Sequence, residues 1–288
     1  MTPSAPVIDL HTHSTASDGT DSPTALVESA VAAGVDVLAI TDHDTVAGWD
    51  ESTGAALRLG IGLVRGIEIS CKRDGRSIHL LGYLTDPASP DLMTELARAR
   101  ESRTTRLERM VCKMAEAGIP LTYAEVLAQV APGATPGRPH IADALIANGT
   151  ITHRDEAFAS WLHDGSEFYV HHYSLDPVEA VRLVREAGGV AVHAHPFTRT
   201  RARVAPDELV EEMAAAGLAG LEVDHRDHGA DERRRAGDLA RALGLLVTGS
   251  SDYHGTGKRN RLAEHTTRAE VLAQIEERSS GVTQVVRP

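Results

Sequence analysis

Short apolar runs alternate with amphipathic helical patterns along most of the chain. Turn and cap residues separate them: Ser22 and Pro23 favour the start of a helix, and Gly34 favours its end. Strands that alternate with helices in this way predict a parallel sheet covered by helices, as a barrel or as a doubly wound sheet. The predicted strands cover residues 7–13, 35–41, 63–70, 77–84, 190–195, 218–223 and 245–250.

After the fourth predicted strand the alternation stops, and helical patterns take its place. A long helical pattern over residues 92–117 is followed by a capping box and two shorter helical patterns. We therefore expect a barrel built from residues 1–88 and 166–288, and a helical insert of residues 89–165. The insert is expected to lie over the mouth of the barrel, with both of its ends on the mouth side or close to it.

Composition narrows the class of protein. The 288 residues are 42% hydrophobic and 24% charged, which is typical of a soluble globular protein. No run of 18 apolar residues predicts a membrane span, no signal peptide is visible, and two cysteines fit a reducing cytoplasm. A formal net charge of −12 argues against binding long duplex nucleic acid by bulk charge. We expect a cytoplasmic protein with no membrane partner.

The chain has 15 histidines, and many of them, with three acidic residues, follow or end predicted strands. The carboxyl ends of parallel barrel strands meet at one face, so these side chains should converge there. Burying so many polar groups without partners would be costly, which favours metal binding over a structural role. Zinc takes three or four protein ligands, so nine groups suit two or three ions. The candidate ligands are His11, His13, Asp18, His43, Glu68, His79, His195, Asp252 and His254.

The order and spacing of these residues resemble the motifs of the PHP (polymerase and histidinol phosphatase) family. The motifs are HTHSTASDG at 11–19, ITDHD at 40–44, GIEIS at 66–70, HLLGY at 79–83, AHP at 194–196 and SDYH at 251–254. The resemblance implies an α/β fold, a distorted (β/α)7 barrel with an inserted small helical domain. It also implies two or three divalent metal ions, often Mn, Fe or Zn.

Carried over by position, the resemblance divides the ligands among three ions. The sets are His11, His13, Glu68 and Asp252 for the first ion, Glu68, His79 and His195 for the second, and Asp18, His43 and His254 for the third. His193 has the same strand parity as His195 and is a rival ligand, but the family pattern places the ligand directly before the proline, which favours His195. The catalytic candidates are Glu68, Asp252 and His254.

Such a site suits hydrolysis of phosphate esters. Clustered dications lower the pKa of a bridging water, give a metal-bridging hydroxide and clamp phosphoryl oxygens. The sequence GRPHIA, with Arg138 and His140, resembles an insert motif of PHP nucleotide phosphoesterases, which act on 3′,5′-bisphosphonucleotides and the 5′ ends of short RNA. Arg199, behind the AHP motif, and His225, after the sixth strand, are further candidates for substrate binding. Arginines of the long insert helix, at positions 98, 103, 106 and 109, are interleaved with glutamates and predict a solvated, salt-bridged face.

Two alternatives share the metal motifs. One is a histidinol phosphate phosphatase, and the other is a non-catalytic PHP module or a metal-binding protein. The insert with its arginine motif favours a metal-dependent phosphoesterase whose partner is a small phosphorylated molecule, either a nucleotide or short RNA. The sequence leaves open the oligomeric state, the metal and the general acid for the leaving group.

Overall fold

The computed structural model describes residues 5–198 and 204–288. Within them, seven strands form one sheet in which each strand pairs with its neighbours in chain order. The sheet curls until Thr12, after the first strand, forms a bridge with Tyr253, after the last. The result is a nearly closed, distorted (β/α)7 barrel, which confirms the predicted fold class. The strands are β1 (Ile8–Asp9), β2 (Val37–Ile40), β3 (Gly62–Arg73), β4 (Arg76–Tyr83), β5 (Val190–Ala194), β6 (Gly220–Asp224) and β7 (Leu246–Gly249).

Helices cover the strands and fill the connection between β4 and β5. Those of the described residues are α1 (Pro23–Ala32), α2 (Trp49–Leu59), α3 (Pro90–Glu116), α4 (Tyr123–Leu127), α5 (Arg138–Ala147), α6 (Arg154–Ala157), α7 (Pro177–Glu186), α8 (Asp207–Ala216), α9 (Ala230–Leu243) and α10 (Ala269–Arg278). A π-helical turn, Phe158–Leu162, follows α6. In the described part of the chain, no helix is both long and apolar enough to cross a bilayer.

Local chemistry explains where several helices begin and end. The Ser22 hydroxyl accepts a hydrogen bond from the backbone N–H of Ala25, so it caps α1 as predicted. Thr122 and Glu125 form the predicted capping box of α4. Gly60 ends α2 with a φ of 73°, a left-handed conformation that glycine adopts without steric cost.

The prediction of a wholly parallel sheet is wrong for the fourth strand. β4 runs antiparallel to both β3 and β5. Asp74 and Gly75 join β3 to β4 in a tight turn, and a connection this short can only return the chain antiparallel. His79 therefore lies near the start of β4, not at its end. It pairs with Ser70 of β3 and so still lies on the mouth side of the barrel.

Alternate residues of the strands divide into an outer and an inner apolar cluster. Leu63 and Ile67 belong to the outer cluster, which the surrounding helices cover. Val64 and Leu81 belong to the inner cluster. Because side chains alternate along a strand, Glu68 shares the inner face with Val64 and lies above that cluster at the mouth.

The helical segment leaves the barrel at the end opposite to the mouth. Tyr83, which ends β4, pairs with Val190, which begins β5, so the expectation that both ends of the insert lie at the mouth is wrong for its start. The 27 residues of α3 span about 40 Å and carry the chain back to the mouth. Leu92 near its start packs in the outer barrel cluster, whereas Leu107 packs in a separate cluster of the helical segment.

The prediction of a solvated arginine face on α3 is wrong for two of its four arginines. Arg98 and Arg109 are exposed, as expected. Arg106 is 7% exposed, and the Arg103 side chain forms an ion pair with the buried Asp44 at 2.8 Å. At these two positions α3 packs against the barrel and the rest of the helical segment. Neither arginine therefore lies on a solvated face paired with the glutamates of the helix.

Candidate metal centre

His11 and His13 lie side by side inside the barrel mouth, as their spacing of two predicts. Their Nε2 atoms are 3.1 Å apart. The Glu68 Oε2 atom lies 3.2 Å from the Nε2 of His11 and 3.0 Å from that of His13, and both nitrogens lie 3.4 Å from the Asp252 Oδ1 atom. All four residues are buried. The structure thus brings together the set that the resemblance assigned to the first ion.

Glu68 contacts further histidines through both of its oxygens. Its Oε1 atom lies 2.5 Å from Nδ1 of His79 and 3.2 Å from Nε2 of His195. Its Oε2 atom lies 3.3 Å from Nδ1 of His43. This carboxylate can therefore bridge two ions. His43 and His79 lie together beside it, and the expected ligand His195 contacts the same Glu68 oxygen as His79.

Asp18 gathers the third set of ligands. Its Oδ1 atom lies 3.3 Å from Nε2 of His254 and 3.7 Å from Nδ1 of His13. Its Oδ2 atom lies 3.7 Å from Nε2 of His43. His13 and His43 each face two sets, one through each ring nitrogen, so the three sets form one continuous cluster. We call the nine predicted ligands together the metal-binding cluster.

The donor set fits divalent metal ions. Nitrogen and oxygen ligands bind zinc at about 2.0–2.2 Å, so two ligands of one tetrahedral ion lie about 3.3–3.6 Å apart. The nitrogen-to-oxygen separations around Glu68 and Asp252 are close to this range. Nδ1 of His43 and Nε2 of His254 are buried and have no hydrogen-bond partner in the described part of the chain, as expected of nitrogens that serve as metal ligands.

The charges of the cluster favour ionised carboxylates. Burial alone would raise the pKa of Glu68, but the neighbouring His79, His43 and His11 hold it well below its usual range. Burial opposes ionisation of Asp18 in the same way, and His254 and His43 outweigh it. Burial also lowers the pKa of His254, to about 4, so this imidazole is neutral at pH 7 and free to donate a lone pair.

Comparison with known proteins agrees with this geometry. The PHP domain pattern matches residues 9–128. A 5′-3′ exoribonuclease of Haemophilus influenzae is 36% identical over 246 residues, which cover 85% of this chain and 89% of the relative. A 3′,5′-nucleoside bisphosphate phosphatase of Chromobacterium violaceum is 33% identical over 259 residues, 90% of this chain and 91% of the relative. The chain belongs to the PHP family.

A solved structure extends the likeness to the whole fold. A protein of Bifidobacterium adolescentis, to which metal-dependent phosphoesterase activity is attributed, matches with a TM-score of 0.93 at 40% identity. The match covers 97% of this chain and 98% of that one. The chain is therefore an enzyme, a metal-dependent phosphoric ester hydrolase of the PHP family.

Glu222 is a site residue that the sequence reasoning missed. It is fully buried in β6, where its Oε1 lies 3.0 Å from Nδ1 of His11 and its Oε2 accepts the backbone N–H of His195 at 2.9 Å. A carboxylate behind a histidine fixes which ring nitrogen faces the metal. The signal in the sequence was an acidic residue within the otherwise apolar run GLEV. Lys258 was also missed; its Nζ lies 2.7 Å from Oδ2 of Asp252.

Backbone strain helps to aim two of the predicted ligands. His195 and Asp252 have φ values of 31° and 53°, in a region that residues other than glycine rarely adopt. His193 pairs with Leu80, whose side chain lies in the outer cluster, so His193 is on the outer face of β5. By strand parity alone, His195 would also lie on the outer face of β5. The left-handed backbone at His195 instead brings its side chain to Glu68. Such strain is typical of functional sites.

The candidates for substrate binding lie in different places. His225 is buried, with Nε2 3.5 Å from Oδ2 of Asp252, so it borders the metal-binding cluster. His140 lines a cavity of about 370 Å³ between the loop at residues 15–20 and the helical segment. Arg138 donates to the carboxylate of Asp164 at 2.6 Å. Arg199 lies outside the described residues.

Proposed function

We propose that this PHP-family enzyme hydrolyses phosphate esters of nucleotides, such as 3′,5′-bisphosphonucleotides or the 5′ ends of short RNA. The observation that carries the proposal is the arginine-bearing α3 beside the metal-binding cluster. Arg103 donates a hydrogen bond to the hydroxyl of Ser70, the residue that pairs with His79 across the β3–β4 ladder. Cationic groups beside a metal site suit a substrate with more than one anionic group. Two relatives named for nucleotide or RNA substrates support the same assignment.

The side chains of the site have separable tasks in this proposal. Two or three divalent ions, such as Mn, Fe or Zn, would supply an activated water and neutralise phosphoryl oxygens. Glu68 would hold two ions at a fixed separation, because its two oxygens face different histidines. Asp252 and His254 would complete the ligand set, and Lys258 offsets the charge of Asp252. Glu222 would hold His11 in the orientation that the ligand role requires.

We further propose that residues 89–165 act as an insert over the mouth of a barrel formed by residues 1–88 and 166–288. Contacts to the first loop of the barrel support this arrangement. The backbone N–H of Thr135 donates to the carbonyl of Ala16, and Arg154 donates to the carbonyl of Asp18, both at 3.0 Å. Because Asp18 is a candidate ligand, the insert is tied directly to the loop that carries it. Arg138, His140, Arg199 and His225 remain the proposed substrate-binding residues from the sequence.

Product release tests the substrate class, with inorganic phosphate measured for the phosphomonoesters and free mononucleotide measured for the RNA. The purified enzyme is given adenosine 3′,5′-bisphosphate, 5′-phosphorylated short RNA or histidinol phosphate, each with and without Mn. We expect Mn-dependent turnover of a nucleotide substrate to exceed that of histidinol phosphate by at least an order of magnitude in kcat/KM. Preferred turnover of histidinol phosphate would overturn the nucleotide assignment and establish the first alternative. Absence of turnover with all three, also with Fe or Zn, would overturn the nucleotide assignment and point to a different phosphate ester as the substrate.

A further inference from the structure

His228 is a buried histidine whose two ring nitrogens both contact the backbone. It is 2% exposed and lies in the loop between β6 and α9. Its Nδ1 lies 2.9 Å from the carbonyl oxygen of Val223, and its Nε2 lies 3.2 Å from the backbone nitrogen of Phe197. Because both nitrogens are engaged in this way, neither is left for contact with a substrate.

These two partners determine which nitrogen of the ring carries the proton. A carbonyl oxygen can only accept a hydrogen bond, so Nδ1 of His228 donates to Val223. A backbone N–H can only donate, so Nε2 accepts from Phe197. One neutral tautomer satisfies both contacts at once. The position therefore needs a donor on one side and an acceptor on the other, which an apolar core residue does not supply.

The contact to Phe197 lies two residues after the predicted ligand His195. The Nε2 of His195 lies 3.2 Å from Oε1 of Glu68, and the backbone of His195 has the left-handed φ of 31°. A residue other than glycine keeps such a conformation only where the surrounding contacts hold it there. The turn that carries this ligand therefore needs restraint on both sides of His195.

The neighbouring strand β6 and the loop after it supply that restraint. On one side, the backbone N–H of His195 donates to Oε2 of Glu222 at 2.9 Å. On the other side, the backbone N–H of Phe197 donates to His228. Pro196, between them, has no backbone N–H. Both backbone donors of this three-residue turn are thus accepted by side chains from the same neighbouring part of the barrel.

The side chain of Phe197 does not replace the hydrogen bond to His228. The ring is buried in the outer apolar cluster, and its centroid lies 4.0 Å from Cζ of Arg235 on α9. These contacts hold the ring, whereas the hydrogen bond sets the direction of the backbone N–H. A buried N–H without an acceptor costs about as much free energy as a lost hydrogen bond. Without His228 the turn would rotate towards another acceptor and carry the His195 imidazole away from Glu68.

We infer that His228 is a positioning residue for the metal ligand His195. Through the backbone N–H of Phe197 it keeps the strained turn in the conformation that directs the His195 imidazole towards Glu68. His228 itself contacts neither the metal nor the substrate in this role. The inference concerns metal binding and does not depend on which phosphate ester the enzyme hydrolyses.

Two substitutions separate the two contacts of His228. In His228→Asn the amide nitrogen lies near the position of Nδ1 and can still donate to Val223, but the shorter side chain does not reach Phe197. In His228→Gln the carbonyl oxygen lies near the position of Nε2 and can accept from Phe197, while the contact with Val223 is lost. Each variant loses one hydrogen bond, so a merely structural role predicts similar effects for both. His228→Gln is therefore the matched control.

Manganese occupancy is the decisive measurement. Wild type and both variants are dialysed against graded concentrations of free Mn, and bound Mn per chain is determined by elemental analysis. We expect His228→Asn to release one ion at a free Mn concentration at least tenfold higher than wild type does. His228→Gln should stay within about threefold of wild type, because it keeps the contact that positions the ligand. The Tm of the metal-free proteins should fall by similar amounts in the two variants.

Two results would overturn the inference. One is an occupancy curve of His228→Asn that coincides with that of wild type, and the other is equal weakening of Mn binding in both variants. If His228→Asn fails to fold, His228→Met takes its place, since methionine fills the space with an apolar side chain but offers only a weak acceptor. His228→Met must then show the same early release of one ion, and normal Mn retention by this variant would also overturn the inference.

Discussion

Replacing Glu222 with glutamine should weaken metal binding although Glu222 is not among the nine predicted ligands. Its two oxygens face two hydrogen-bond donors, the Nδ1–H of His11 and the backbone N–H of His195. Glutamine keeps the shape but has only one carbonyl oxygen. Its NH2 group would then face either the Nδ1–H of His11 or the backbone N–H of His195, so that two hydrogen-bond donors point at each other.

Both resolutions of this conflict cost free energy. A buried donor left without an acceptor costs about 1–3 kcal/mol. Alternatively, His11 moves its proton to Nε2, the nitrogen that faces Glu68 and Asp252, and can no longer bind a metal there. Loss of a supporting carboxylate typically weakens metal affinity by about 10- to 100-fold, equivalent to about 1.4–2.7 kcal/mol. The first resolution lowers the stability of the fold, and the second lowers metal affinity directly.

Metal occupancy measures this effect directly. Wild type, Glu222→Gln and the exposed control Glu116→Gln are dialysed against graded chelator concentrations, and bound metal per chain is determined by elemental analysis. We expect half-occupancy of Glu222→Gln at a free-metal concentration about 10- to 100-fold higher than for the other two proteins. A folded Glu222→Gln protein whose occupancy curve coincides with the control would refute the orienting role.

Three further predictions address the site and its connection to the insert. Glu68→Gln should lose at least one bound ion by elemental analysis and abolish phosphate release, because both carboxylate oxygens contact histidines; normal metal content with normal turnover would contradict this. Arg103→Met should lower the urea unfolding free energy by about 3 kcal/mol, because it leaves the buried Asp44 carboxylate without its ion-pair partner, whereas Arg109→Met should change it by less than about 0.5 kcal/mol. Chelator should lower Tm measurably, because three buried carboxylates then lose the dications that offset their charge; an unchanged Tm would indicate that no metal stabilises the fold.

The sequence predicted which nine side chains lie together at the barrel mouth, because most of them lie beside a strong local signal. Histidines that follow apolar strands remain near the strand ends whatever the details of the barrel. The direction of β4 required a different kind of information, since the short Asp74–Gly75 turn excludes a parallel crossover and outweighs the overall strand–helix alternation. His195 shows the limit of periodicity, because a left-handed φ redirects its side chain.

Residues whose environment depends on long-range packing were harder to find. Glu222 sits in an apolar strand and contacts a ligand distant in sequence, so only the closed barrel reveals its role. In the sequence, Arg106 is one of four arginines on an amphipathic helix. Its burial depends on how α3 packs against Tyr169 and α5, which the sequence pattern does not show. In both cases the chemistry comes from long-range packing, which single-sequence patterns do not contain.

The antiparallel hairpin explains why β3 extends beyond the mouth of the barrel. A parallel strand of this barrel ends at the mouth, as β2 and β5 do within five residues. β3 instead continues to Arg73, because β4 returns beside it and pairs its backbone groups over eight residue pairs. The inner face of β3 therefore carries Glu68 within the barrel and Lys72 beyond it. A shift of one residue in β3 would turn both side chains to the outer face, so the metal-binding cluster depends on the hydrogen-bond register of this hairpin.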